Sequence, residues 1–496
     1  MATGPPFFVV VVPGFGGSVL ASEQDGVVWD SALGSVVRRL VDPDILGLSS
    51  GVPDGVVPAG LITSTHVTPW MTVVHGYDAL LGGAATLWGS GAAIDRGDPA
   101  RRDDRADVVG FAYDFRRGVE QAAMRLAVDI EARVAARRAA GLATRVVTVA
   151  HSMGGLVARA WIARFGGHEH CERLFTLGTP FLGSLKALDV LANGIGTGRL
   201  RRRGAAAVLA SWPGTFDLVP RWRCLPTAAG PVSPAPRGRA TRSDDKSDTS
   251  PGRWPREATA SWLDARQVSQ AAVRLGEVDD AWAELESHGG VPPWRAMVGI
   301  AHGTPQHVVS IDPLVLSDAR PPWLDPSGLA GDGTVAWSSA VPPGCAFSDP
   351  CVWPASGRHG ALPAAPEVLA ALHGLVAPHP SGDRGFEQWV GIRTDMPEVL
   401  EPGQPFRLQA SVVGHDGSLV DLGGAVVVVT VRALTDEVPG IPVRLECTTD
   451  GGGSWEAKAV LDPGFHEVTA AVSGAAHRSP PAVVQRVAVA AENAFP

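Results

Sequence analysis

Lysine is almost missing from this chain: Lys186, Lys246 and Lys458 are the only three among 42 basic residues. One reading of so many arginines is phosphate recognition by the planar guanidinium. The plainer reading is GC-rich codon usage, which the abundance of Ala, Gly, Val and Pro favours. Against 51 acidic residues the net charge is -9. That balance excludes the basic footprint of a nucleic-acid partner and weighs against strong electrostatic docking on anionic lipid. Cysteine is scarce and odd in number, at five, so no disulfide framework is expected. Cys345 and Cys351 are close enough for a local bridge, but a reducing compartment argues against it. No Cys or His pair has convincing ligand spacing, so neither a metal nor a cofactor is expected. No apolar run approaches the ~20 residues of a membrane span. No basic region precedes the first apolar run, so no signal peptide is expected and the expected location is cytoplasmic.

The 496 residues, 45% hydrophobic and 19% charged, describe a globular chain of two or three domains. Its most informative stretch is Val146 to Gly154. The apolar run Val146-Val147-Thr148-Val149 leads into Ala150-His151-Ser152-Met153-Gly154, and Gly155 to Trp161 reads as a helix. A strand that ends in small-x-Ser-x-Gly and turns at once into a helix is a nucleophile elbow. Ala150 and Gly154 are small where larger side chains would collide with strand and helix. A serine that merely caps a helix is the simpler alternative.

On such a fold the partners of the serine follow in the order acid, then histidine. Downstream lie Gly331-Asp332-Gly333-Thr334-Val335 and Gly357-Arg358-His359-Gly360. His359 would take the Ser152 proton, and Asp332 would orient and stabilise the imidazolium. A turn aspartate and a solvated loop histidine are the plain alternatives. His373 is a rival base, but it falls inside the helical run 366–373, whereas the base is expected on a loop. The first strand, Phe7 to Val12, ends in Pro13-Gly14-Phe15-Gly16-Gly17-Ser18. No Gly-Lys-Ser/Thr follows, which excludes a phosphate-binding loop. The backbone N–H groups of Phe15 and Met153 are the expected oxyanion hole.

Six motifs now stand in order: Pro13–Ser18, Tyr113-Asp-Phe-Arg116, Ala150–Gly155, Leu177-Gly-Thr-Pro-Phe-Leu-Gly-Ser184, Gly331–Val335 and His359-Gly360. Together they resemble the lecithin:cholesterol acyltransferase family of α/β-hydrolases, with lysosomal phospholipase A2 and bacterial esterase/lipase relatives, over roughly residues 7–376. The resemblance implies a serine acyl-enzyme mechanism on lipid esters. It maps Ser152, Asp332 and His359 onto the family triad and Phe15 and Met153 onto its oxyanion positions. The chain departs from the family in that no export signal is expected and in carrying a polar, Pro-rich insert.

Strand-like segments at 7–12, 107–111, 145–150 and 173–178 alternate with helical ones, among them Glu120 to Ala139 with Met124, Leu126, Ile130 and Val134 as its apolar positions. The alternation implies an α/β fold with a mainly parallel sheet, and the resemblance implies that residues 1–380 form an α/β-hydrolase. Lid or cap insertions are expected at 27–61, with Trp29, Leu40, Ile45, Leu46 and Leu48, and at 186–300. The apolar residues there read equally as lid surface or as core. Ser211 to Pro220 resembles family cap sequence. Asp114 precedes the serine, so Tyr113 to Arg116 is read as a structural hydrogen-bonding motif. Pro378 to Asp383 reads as a linker. Residues 386–496 carry short alternating strands, and the expected module is an immunoglobulin-like β-sandwich. Contacts across such linkers are usually modest, which predicts that residues 1–380 act alone on a short ester.

The expected function is a serine esterase/lipase or O-acyltransferase on lipid-like carboxylic esters. The alternatives are a catalytically inactive scaffold that binds through its sandwich, or a peptidase with the same triad. Expected partners are a lipid or other ester substrate, a membrane surface met peripherally, and a protein or glycan ligand for the sandwich. Residues 229–256 are rich in Pro, Ser, Arg and Asp and should form a disordered surface loop. Limited proteolysis should therefore cut first within 229–256; a first cut elsewhere, read by mass spectrometry, would contradict this.

Overall fold

The structure is a computed structural model. It describes residues 4–31, 43–48, 55–67, 72–195, 204–222, 224–225, 260–311, 313–318, 330–376, 390–414, 417–421, 424–434, 440–449, 453–474, 480 and 482–489. The 229–256 loop, the 378–383 linker and Leu40 lie outside the described residues.

Seven strands build a central parallel sheet. They are β1 (Phe7–Val12), β2 (Ile94–Asp95), β3 (Val108–Gly110), β4 (Arg145–His151), β5 (Cys171–Leu177), β6 (Trp294–Gly299) and β7 (Val352–Ala355). Their order across the sheet is β7-β6-β5-β4-β1-β3-β2. The continuous apolar run of β1 follows from its central place. Phe8, Val10 and Val12 enter one core and Phe7, Val9 and Val11 the other, because successive side chains leave a strand on opposite faces and helices cover both. α2 (Val119–Ala139), α3 (Met153–Arg164) and α5 (Ala265–Ser287) pack on the first face. α1 (Asp78–Ala85) and α6 (Pro366–His373) pack on the second. α4 (Leu185–Asn193) extends the first core.

The predicted elements sit close to the observed ones, with one instructive difference on α2. Leu126, Ile130 and Val134 are buried as expected, but Met124 is exposed. The buried stripe includes two arginines instead. Arg133 pairs with Asp95 at 2.9 Å. Arg137 donates to the carbonyls of Arg105 and Ala106 at 2.6 and 2.5 Å, and its guanidinium lies over the Phe8 ring at 4.7 Å. A hydrophobic periodicity cannot reveal a stripe that contains charge.

From the described parts of both insertions, Trp29, Leu46, Val208 and Trp212 join the first core. Trp29, Leu46 and Trp212 are fully buried, so for these residues the core reading holds over an exposed lid. Trp29 donates to the Gly16 carbonyl at 2.9 Å and Trp212 to that of Leu46 at 2.7 Å. Within 211–220, Asp217 accepts from the first N–H of α2, that of Val119, at 2.8 Å.

Beyond residue 390 two antiparallel sheets face each other. β8 (Val390–Asp395), β10 (Pro405–Gly414), β14 (Ser454–Val460) and β13 (Cys447–Thr449) form one, in the order β8-β10-β14-β13. The other has the order β9-β16-β15-β11-β12, from β9 (Val399–Leu400), β11 (Val426–Leu434), β12 (Val443–Leu445), β15 (Gly464–Ser473) and β16 (Val483–Val489). β9 pairs parallel with β16. The first sheet follows the A-B-E-D order of an immunoglobulin domain, and the second adds its remaining strands. Phe406, Leu408, Val429 and Val487 fill the space between the sheets. Among the described residues, no helix is long and apolar enough to cross a membrane.

Candidate active site

Ser152 stands between β4 and α3 with φ 53° and ψ -127°, and it is the one non-glycine residue with positive φ among the described residues. An L-residue there is strained. Its neighbours over-determine it. The Ser152 N–H is held by the Leu177 carbonyl at 2.9 Å, and the Gly155 N–H returns to the Ser152 carbonyl at 3.0 Å. A Cβ on Gly154 would lie 2.5 Å from the carbonyl oxygens of both Val12 and Pro13. The small residue of the elbow is therefore demanded by the adjoining strand end.

The structure brings the three sequence-predicted side chains together. His359 Nε2 is 2.8 Å from Ser152 Oγ, and His359 Nδ1 is 2.7 Å from Asp332 Oδ2. All three are largely buried. Asp332 Oδ1 also accepts from the Thr334 and Val335 N–H groups at 2.9 and 2.7 Å. The His359 N–H reaches the Asp332 carbonyl at 2.9 Å, so Asp332 and His359 are locked backbone to backbone as well. His373 is elsewhere: it bonds Thr86 Oγ1 at 2.8 Å on the surface of α6.

The loop after β1 runs against the serine, since a Cβ on Gly14 would lie 2.8 Å from Ser152 Cβ. Phe15 follows it, its ring packed on Phe115 and Trp212 at 4.9 and 5.9 Å. Met153 opens α3, so its N–H belongs to the first turn, whose donors lack intrahelical acceptors. Asp114 serves structure, with its carboxylate holding Arg116 through 2.9 and 2.8 Å bonds and Arg117 at 3.0 Å.

Two participants were not read from the sequence, Tyr77 and His151. His151 Nε2 is 3.0 Å from the His359 carbonyl, which can only accept, so Nε2 carries the proton. Nδ1 therefore accepts from the Tyr77 hydroxyl at 2.8 Å, and the Tyr77 oxygen in turn accepts from the Gly14 N–H at 2.7 Å. One chain of hydrogen bonds thus joins the loop beside Ser152 to the backbone of His359. Burial suits this neutral ring, pushing the His151 pKa well below 6.5. Gly178 belongs to the Leu177–Ser184 motif, in which no role of its own was read for it. It has φ 57°, and a Cβ there would lie 2.7 Å from Asp332 Oδ2 and 3.0 Å from His359 Nδ1.

Cys345 and Cys351 are free thiols with sulfurs 3.9 Å apart. With Asp349 they form the one group among the described residues whose ligand atoms lie within 4.8 Å of one another, as a metal would require. Burial raises both thiol pKa values, that of Cys345 to about 12, which opposes the thiolate form a metal needs.

Residues 102–206 match the family model for lecithin:cholesterol acyltransferase. The match includes Tyr113–Arg116, the Ser152 elbow and Gly178; Asp332 and His359 lie beyond it. It supports an acyl-ester hydrolase or acyltransferase. No curated protein sequence matches the chain. Among solved structures, that of a Tle4-Tli4 complex is 16% identical, covers 75% of this chain and 98% of that one, and gives a TM-score of 0.45. The Bacillus licheniformis lipase BlEst2 in its propeptide form is 10% identical over 98% of this chain and 94% of that one, with a TM-score of 0.36. Likeness of this degree supports no assignment of function.

Two measurements test the construction of the site. Gly178→Ala strains the backbone and drives a methyl group against Asp332 and His359. It should lower kcat by about 10²-fold, the scale of small misplacements, and a kcat close to wild type would show that the gap is not needed. The second concerns pH. Burial holds the His66 pKa at about 4 and that of His75 at about 3, with Arg486 adding to the effect at His75. These folded values, like that of His151, lie below the unfolded 6.5. The unfolded chain therefore binds protons first as pH falls. The stability these rings contribute is whole above about pH 6.5 and declines toward pH 4, at up to about 1.4 kcal/mol per pH unit for each ring. Denaturant unfolding across that window should show the decline, and a flat midpoint would count against neutral buried rings.

Proposed function

We propose that the protein is a serine esterase/lipase or O-acyltransferase that acts on lipid-like carboxylic esters through a covalent acyl-enzyme. The observation that carries this reading is the unbroken line from Ser152 Oγ to His359 and on to the buried Asp332 carboxylate. Such an arrangement activates a hydroxyl that is otherwise a poor nucleophile at neutral pH.

In the reading proposed, Ser152 Oγ attacks the ester carbonyl as His359 Nε2 takes the hydroxyl proton. The Asp332 carboxylate stabilises the imidazolium without accepting its proton. The carbonyl oxygen becomes an oxyanion, served by the N–H of Met153 at the start of α3 and that of Phe15. A helix N-terminus favours negative charge at this place. The tetrahedral adduct collapses, the C–O bond to the alcohol breaks, and the alkoxide leaves with the His359 proton. The acyl group is then on Ser152. Water or a second alcohol, deprotonated by His359, releases it as an acid or a new ester. The lipid class of substrate rests on the family match.

Fluorophosphonate labelling tests the nucleophile: Ser152→Ala should neither label nor hydrolyse esters while keeping its fold, and labelling at another serine would sink the assignment. His359→Ala should lower kcat by roughly 10³ or more, as in other triads, whereas His373→Ala should leave it nearly unchanged. The reverse pattern would move the base to His373. A serine that labels in a protein without turnover on any acyl ester would favour the binding-scaffold alternative.

A further inference from the structure

We infer that the immunoglobulin-like sandwich is a working part of the active site, and that Glu398 is a positioning residue for His359. The inference rests on the triad reading above and departs from the expectation of modest contacts across a linker.

Both flanks of His359 are tied to the sandwich. On the N-terminal side Arg358 is largely buried, and its Nη1 lies 3.1 Å from Glu398 Oε1. Its Nη2 also reaches the Thr394 carbonyl at 3.4 Å. On the C-terminal side the Gly360 carbonyl accepts from the His75 N–H at 3.0 Å. A Cβ on Gly360 would fall 1.9 Å from the Val73 carbonyl oxygen, so the segment 73–75 lies hard against the base loop. That segment is itself held from the sandwich. Its Val73 N–H donates to Glu398 Oε2 at 2.7 Å, and Arg486 donates to the His75 carbonyl at 2.9 Å. Val67, Val73 and Ala488 close an apolar contact around these bonds.

Glu398 is thus the shared point. One carboxylate oxygen holds the residue before His359 and the other holds the strand that backs the residue after it. Its side chain is 9% exposed, and the Ala488 N–H fixes its own carbonyl at 2.8 Å. The acid is reached too. The His302 N–H bonds the Gly331 carbonyl at 2.9 Å, directly before Asp332, while the His302 ring sits 2.7 Å from the Thr394 carbonyl of the sandwich. An ion pair this dry is strong only while both partners stay in place, and losing Glu398 leaves the buried Arg358 guanidinium with only the exposed Asp395 carboxylate, at 3.9 Å, as an opposite charge. An arginine released next to His359 would let the imidazole drift from Ser152, and drifts near 1 Å cost rate rather than binding.

The full-length protein tests this. In Glu398→Ala, kcat on a short soluble ester should fall about tenfold or more while KM stays within about twofold. The rate constant for fluorophosphonate inactivation should fall by the same factor, because it reports how well His359 activates Ser152. Glu398→Gln, which keeps an acceptor for the Val73 N–H but not the charge for Arg358, should recover part of the loss and serves if the alanine variant does not fold. Arg145→Ala, which breaks an exposed pair with Glu172 at 2.8 Å, should leave kcat unchanged. A second readout needs no turnover. In the Ser152→Ala background, the low-field NMR signal of the proton between His359 Nδ1 and Asp332 should broaden or shift on adding Glu398→Ala. If the wild-type protein hydrolyses no ester, the proposed function fails and this signal still decides the positioning role. A folded Glu398 variant with kcat within about twofold of wild type, or an unmoved signal in the inactive background, overturns the inference.

Discussion

The strained backbone at Ser152 is the constraint on which the rest of the site depends. A φ of 53° lets the chain leave the C-terminal end of β4 and turn at once into α3. It persists because the surroundings leave the chain nowhere else to go: β1 and the loop after it close in on one side and the end of β5 on the other. The absence of a side chain at Gly14, Gly154 and Gly178 allows that closeness, and each of the three would put a Cβ within 3 Å of another heavy atom. The strain is thus a property of packing around the elbow more than of the serine itself.

Much of this was legible in the sequence, and the reasons differ by element. β1 announced itself because a central strand of a parallel sheet is buried on both faces and tolerates only apolar residues. Ser152, Asp332 and His359 were legible because each sits in a short motif whose glycines reflect a local backbone demand. Tyr77 and His151 were not, because their meaning lies in a partner distant along the chain, and a tyrosine and a histidine look alike in a core or in a network. The exposure of Met124 escaped for a related reason: α2 buries Arg133 and Arg137, whose charges are met by carbonyls and Asp95 that only the fold supplies.

The largest gap between expectation and structure concerns the sandwich. Pro378 to Asp383 reads as a linker, and a linker says only how two bodies are joined. Whether they also meet depends on residues remote from it. Here the contacts come from Thr394, Glu398 and Arg486, none of which belongs to a motif. The polar character of that contact also sets it apart from a hydrophobic core. Charges that are buried only when the bodies meet fix one orientation and disfavour every other, whereas an apolar patch tolerates sliding.

The chain of hydrogen bonds through Gly14, Tyr77, His151 and His359 limits which sequences can descend from this one. Each link has a single donor and a single acceptor in use, so the direction of every proton in it is set by the carbonyl at its far end. A phenylalanine at position 77 would strand the Gly14 amide and the His151 ring together, and a glutamine at 151 would have to find the same two partners with a different reach. Neither position can become apolar by itself without leaving a buried polar group unmet. Drift at these residues must therefore proceed in coordinated steps, and Tyr77 and His151 should be inherited as a pair even in descendants whose substrate has changed.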